Sequence, residues 1–149
     1  MFRPIAIATA ICGTLDILFA MILTLAAGRE IPNMLRIVAS GPFPQASAMG
    51  TGGAILGLIV HYILMGLMAT GIVLLVRWRP RLAETPLRTG LAYGILTYFI
   101  MNWLVVPLRF HTPLPPKAIS LATQLFAHLV LVGIPMAYIA ARYLRPRPR

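Results

Sequence analysis

The residue types that could move a proton, hold a metal ion or attack a substrate are few in this chain: three acids, three histidines and one cysteine among 149 residues. Asp16, His61 and His128, together with the carboxamide of Asn102, fall inside long apolar stretches, whereas Glu30, Glu84 and His111 fall between them. A carboxylate beside imidazoles at membrane depth is the set that a proton or ion path uses, because histidine titrates near neutral pH and an intramembrane carboxylate is a common relay. Two histidines at equal depth could also be the axial ligands of one haem, and with Asp16 they form the two-histidine, one-carboxylate set of a divalent metal site. A third reading gives the groups no chemistry: Asp16, His61, His128 and Asn102 satisfy one another across the bundle and decide which helices pair. No cofactor is demanded by the sequence, and haem or a divalent metal on His61, His128 and Asp16 is the alternative.

Enzymatic motifs are missing. There is no glycine-rich phosphate loop, HExxH, nucleophile elbow or CxxC, and three acids leave no carboxylate pair for acid–base work, so a non-enzymatic protein is expected. Cys12 is a lone cysteine and excludes an internal disulfide. His111, in a proline-rich stretch, reads as a solvated loop residue.

The elements that must carry the polar set are membrane helices. The chain is 59% hydrophobic and 11% charged, against about a quarter charged in a soluble domain. Apolar runs long enough to cross a bilayer cover about 4–27, 53–77, 88–108 and 119–143. The connections are too short to bury a core of their own, so 1–149 is expected to form a single integral membrane domain. The first run is too long for a signal-peptide core and carries Asp16 at its centre, so it reads as a retained helix. Between the first two runs, Ile31, Met34, Leu35 and Val38 share one helical face with Asn33, Arg36 and Ser40 opposite, which predicts a short amphipathic interfacial helix over about 32–40. The short basic, proline-containing connection from Trp78 to Pro86 predicts that the second and third membrane helices are packing neighbours. The stretch Phe110 to Pro116 holds too many prolines for helix and predicts an extended strap. Trp78, Trp103 and Tyr143 lie toward segment ends, as an aromatic belt requires.

Small and polar residues recur at three- and four-residue spacing along each run, the mark of a protein-facing side in lipid. The packing candidates are Gly13, Gly53, Gly57, Gly90 and Gly94, with Gly53 and Gly57 forming a GxxxG pair; Gln124, His128, Pro135 and Tyr138 mark the fourth helix. At about 1.5 Å per residue, Asp16, His61, His128 and Asn102 fall roughly 9–16 Å from the outer ends of their helices, in one layer. Tyr62 and Tyr98 could extend it, and Pro135 should bend the fourth helix. His61 and His128 are each followed five residues later by glycine, Gly66 and Gly133, an echo that suggests a two-plus-two repeat.

The net charge of +10 would suggest nucleic acid in a soluble chain, but its distribution reads as topology and no nucleic-acid partner is expected. Arg3, Arg77, Arg79, Arg81, Arg88, Arg142, Arg145, Arg147 and Arg149 share one side; Arg29, Arg36, Arg109 and Lys117 share the other. The bias places both termini in the cytoplasm and favours anionic headgroups there.

The stretch Gly90 to Arg142 carries Gly90-Leu91-Ala92-Tyr93-Gly94, Met101-Asn102, Pro107-Leu108 ahead of the proline-rich loop, and His128-Leu129. Across this third of the chain it is similar in layout to the YagU-like family of small bacterial inner membrane proteins. The resemblance implies fold, topology and a bacterial inner (cytoplasmic) membrane, and no activity. The expected architecture is all-α: an antiparallel four-helix transmembrane bundle with a short amphipathic periplasmic helix. The first functional expectation is an accessory or assembly component that docks on protein partners, or on copies of itself, through small-residue faces; the basic tail Arg145 to Arg149 would need such a partner to be ordered. The alternatives are a small oligomeric transporter or proton/ion conductor using the Asp/His layer, and a haem- or metal-binding bundle.

Overall fold

The computed structural model describes residues 1–145; apart from Arg145, the basic tail on which the docking expectation drew lies outside them. Among the described residues there is no strand. Four helices are long and apolar enough to cross a membrane: α1 (Phe2–Ala26), then, after the short α2 (Ile31–Ser40), α3 (Gly50–Trp78), α4 (Pro86–Phe110) and α5 (Ala118–Leu144). Each end lies within three residues of the predicted one. Several threonines inside them return their hydroxyls to the carbonyl four residues back, as Thr9 does to Ile5 at 2.8 Å and Thr70 to Gly66 at 2.7 Å, which satisfies those donors within the helix.

Two prolines reshape the later helices. Pro107 and Pro135 follow π-helical segments, Ile100–Val105 and Ala127–Gly133, within α4 and α5. Proline lacks an N–H and crowds the carbonyl four residues behind it. Widening the preceding turns leaves each proline in the first turn of the α-helical stretch that follows, where no N–H is required. The adjustment at Pro135, expected as a bend, is a π-helical segment ending at Gly133.

Pairing follows the glycines. On α1 and α3, Thr9 lies against Gly66 and Gly13 against Tyr62. On α4 and α5, a Cβ on Gly90 would meet the Ile134 Cα at 2.6 Å and one on Gly94 the His128 carbonyl oxygen at 2.5 Å; Gly133, not foreseen as a packing residue, faces Gly90 and Gly94 in return. α5 also packs on α1 and α3. The predicted side-by-side packing of α3 and α4 is not found. Their chief link is the Tyr93 hydroxyl, which donates to the Met68 carbonyl at 2.7 Å; the Pro80–Ala83 turn carries the chain across, and glycine faces then commit α4 to α5.

Gly53 and Gly57, expected to seat another membrane helix, instead admit the backbones of Ala46 and Leu35. α2 is therefore docked on α3 through Leu35 and Ala39 rather than merely resting on a bilayer surface. Arg109 of α4 locks its far end, donating from Nε to the Gly41 carbonyl at 2.6 Å and from Nη2 to that of Ser40 at 2.7 Å, a cation on the open carbonyls of a helix C-terminus. At the opposite end Arg145 makes the matching contact, Nε to the Ala83 carbonyl at 2.8 Å. The stretch from His111 to Lys117 is non-helical. The end of the bundle where α1 starts and α5 finishes is filled by a dry core of Ala8, Ala69, Ile72, Val73, Val76, Met136 and Ala140. Tyr138, placed by its spacing on the inward face of α5, is half exposed.

Candidate functional site

The polar layer forms around two pairs of helices. On α1, Gly13 has no side chain, so the backbone can be approached by α3, and His61 donates its Nε2 hydrogen to the Gly13 carbonyl at 2.9 Å. A carbonyl only accepts, so this bond fixes the tautomer: in neutral His61 the other nitrogen, Nδ1, carries a lone pair. That nitrogen faces Asp16 Oδ2 at 3.9 Å. A lone pair and a carboxylate facing each other repel unless a proton lies between them, so the stable forms are a protonated acid beside a neutral ring and a carboxylate beside an imidazolium. Both contain one proton and neither carries net charge, which is the low-cost state in a medium that penalises isolated ions. Asp16 is partly open, its side chain 27% exposed against 9% for His61.

The second pair repeats this plan with a different ending. His128 lies opposite Gly94, as His61 lies opposite Gly13, and the residue three positions on is Thr97 where the first pair has Asp16. The Thr97 hydroxyl donates to the Gly94 carbonyl at 3.1 Å and lies 3.2 Å from His128 Nδ1. Asn102 donates from Nδ2 to the Tyr98 carbonyl at 3.3 Å, which orients its amide, and the same nitrogen lies 3.5 Å from His128 Nε2. The consistent assignment is a neutral His128 that donates from Nδ1 to Thr97 and accepts at Nε2 from Asn102. Both ring nitrogens are occupied. Tyr98 packs edge-on to this ring, its hydroxyl buried without a partner among the described residues. Tyr62 reaches outward instead, its hydroxyl 2.9 Å from that of Thr14.

Asp16, His61, Asn102 and His128 line one cavity of about 200 Å³, joined by Gln124 from α5 and roofed by Val38 from α2. It lies where α3 and α4 stand apart. Two larger surface cavities, of about 480 Å³ each, have lining residues near the α2 end. One runs between α1 and α5, lined by Thr24, Arg29, Ser120 and Thr123, and shares Gln124; the other lies along α2, with Glu30 and Asn33, and shares Val38. Toward the termini the cavity ends on Met65 and Val132, members of the dry core. Asp16 lines this cavity with its side chain 27% exposed.

The four residues singled out from sequence thus share a cavity but not a single network. Asp16 is with His61, and His128 is with Asn102. Thr97 was not foreseen; it is one of many membrane threonines, and its only sequence signal is its place three residues after Gly94, as Asp16 stands after Gly13. The proposed Asp16, His61, His128 ligand set is not gathered: among the described residues no three of His, Cys, Asp and Glu approach closely enough to hold one ion, and His128 spends its nitrogens on Thr97 and Asn102. No family model, curated protein or solved structure matches the chain, so the function has to be argued from this geometry.

Proposed function

We propose that the chain is a small transporter or proton-conducting protein of a bacterial inner membrane, acting without enzymatic chemistry, in which the Asp16–His61 pair binds and releases a proton or another small cation arriving from the α2 end. The observation that carries this reading is the unused Nδ1 of His61, facing a partly exposed carboxylate across 3.9 Å in the wall of a cavity. A purely structural pair would close to hydrogen-bond distance, as Thr97 and His128 do at 3.2 Å. The dry core beyond the cavity means that passage requires a rearrangement and not a standing pore.

Several features support the accompanying topology. Contacts that rise along α1 as they fall along α3, and rise along α4 as they fall along α5, favour an antiparallel bundle. The excess of arginine at the terminus end favours cytoplasmic termini and a periplasmic α2, and the likeness in layout to YagU-like proteins favours the bacterial inner membrane. Purified protein in liposomes loaded with a pH-sensitive dye tests the function. Wild-type chain should dissipate an imposed proton gradient, Asp16→Asn should not, and equal rates for the two would remove Asp16 from the path.

A further inference from the structure

At the terminus end, away from the polar layer, a surface groove of about 490 Å³ lies between the start of α4 at Pro86 and one face of α5. Tyr138, Ala141, Arg142 and Arg145 follow one another at three- and four-residue spacing, so they line it together from that face. Arg145 is held in place. It donates from Nε to the Ala83 carbonyl at 2.8 Å and from Nη2 to that of Glu84 at 3.3 Å, which ties the end of α5 to the turn ahead of α4 and leaves Nη1 for a ligand. Arg142 is exposed, and among the described residues no carboxylate pairs with it or with Arg145, Glu84 included. Tyr138, half exposed rather than packed inward, lines the inner part of the same groove.

The groove is graded along the helix axis. Its two cations stand at the end of α5, whereas Tyr138 lies about 10 Å deeper into the span at about 1.5 Å per residue, which is more than the roughly 5–8 Å of one headgroup layer. A soluble anion would use only the outer part. A phospholipid uses all of it: phosphate oxygens accept from the guanidinium groups, the tyrosine sits at the boundary between headgroup and chain, and the chain covers the Tyr138 ring and Ile139. A zwitterionic headgroup would bring a cation back beside two arginines, and a headgroup of net negative charge would not. We propose that this groove is a specific site for one anionic phospholipid, with its phosphate on Arg142 and Arg145 and the first segments of a chain on Tyr138 and Ile139. Such a seat differs from the diffuse attraction of a basic surface, and it stands apart from Asp16 and His61, toward the other end of the bundle.

The test uses full-length protein in detergent micelles, titrated with phosphatidylglycerol, which carries one net negative charge, or with zwitterionic phosphatidylcholine, and the retained lipid is counted by native mass spectrometry. The wild-type chain should keep one phosphatidylglycerol in preference to phosphatidylcholine. Arg142→Gln, at an exposed position, should weaken that binding about fivefold, the worth of one arginine against an anionic lipid. Arg3→Gln removes the same charge from the same end but outside the groove, and should weaken it less than about twofold. No preference for phosphatidylglycerol, or equal losses in the two variants, would overturn the site in favour of diffuse charge. Displacement of the lipid by an equal concentration of free glycerol phosphate would overturn the lipid as occupant and leave a site for soluble phosphate.

Discussion

The two histidines occupy equivalent places in the two helix pairs and are treated differently by them. His61 and His128 each face a glycine of the preceding membrane helix, and each has a second glycine five residues on that packs against that helix. In the α4–α5 pair the ring is surrounded by neutral partners, Thr97 and Asn102, and both nitrogens are used. In the α1–α3 pair the corresponding partner is a carboxylate, partly exposed, with a gap where a bond could be. The same scaffold has one copy that is satisfied and one that is poised, and this difference is why function is proposed for Asp16–His61 and support for His128–Asn102.

Carrying the first ending into the second pair should break the distinction at the greatest cost. Thr97→Asp places a carboxylate beside an already satisfied ring and is expected to lower stability by about 3 kcal/mol, the insertion cost of a membrane carboxylate, read as a fall in the thermal midpoint in detergent. The glycine seams should then separate the pairs by rigidity. A Cβ at Gly94 meets backbone atoms of His128 and Leu129 at 2.5–3.0 Å, whereas one at Gly13 meets the Tyr62 ring at 2.9–3.0 Å. Backbone cannot yield and a ring can swing, so Gly94→Ala should cost about 2–3 kcal/mol and Gly13→Ala less than about 1 kcal/mol. Equal losses would show that the two seams are equally rigid.

Smaller effects test the satisfied and poised assignments themselves. Asn102→Ala removes the donor to His128 Nε2 and should cost roughly 0.6–1.7 kcal/mol, the range of interhelical hydrogen bonds in lipid. Asp16→Asn should leave the thermal midpoint unchanged or raise it, because it removes a costly acid whose partner is not closely bonded. A fall like that of Asn102→Ala would place Asp16 among the structural residues.

Much of this was legible in the sequence because lipid simplifies the reading. Apolar run length located the helices, and helical rise put Asp16, His61, His128 and Asn102 at one depth. Depth, however, says nothing of rotation about the bundle axis, so the division of that layer into two pairs was not readable. A short loop between α3 and α4 predicted adjacency that glycine contacts between α4 and α5 overrode. The GxxxG pair at Gly53 and Gly57 marked a close backbone approach, and only the fold could show that α2 makes it. Pro135 signalled an irregular fourth helix without saying that a π-helical segment would carry His128, and the matching segment that carries Asn102 ahead of Pro107 was not foreseen.

The proposed route requires that Asp16 be reached by water from the α2 end and sealed from the other. A membrane-impermeant carbodiimide, which modifies intramembrane carboxyls, can be applied to sealed vesicles of each orientation and the modified peptide read by mass spectrometry. The account predicts modification of Asp16 when the reagent faces the α2 end and none when it faces the termini. Modification from neither side, or equally from the terminus side, would contradict it.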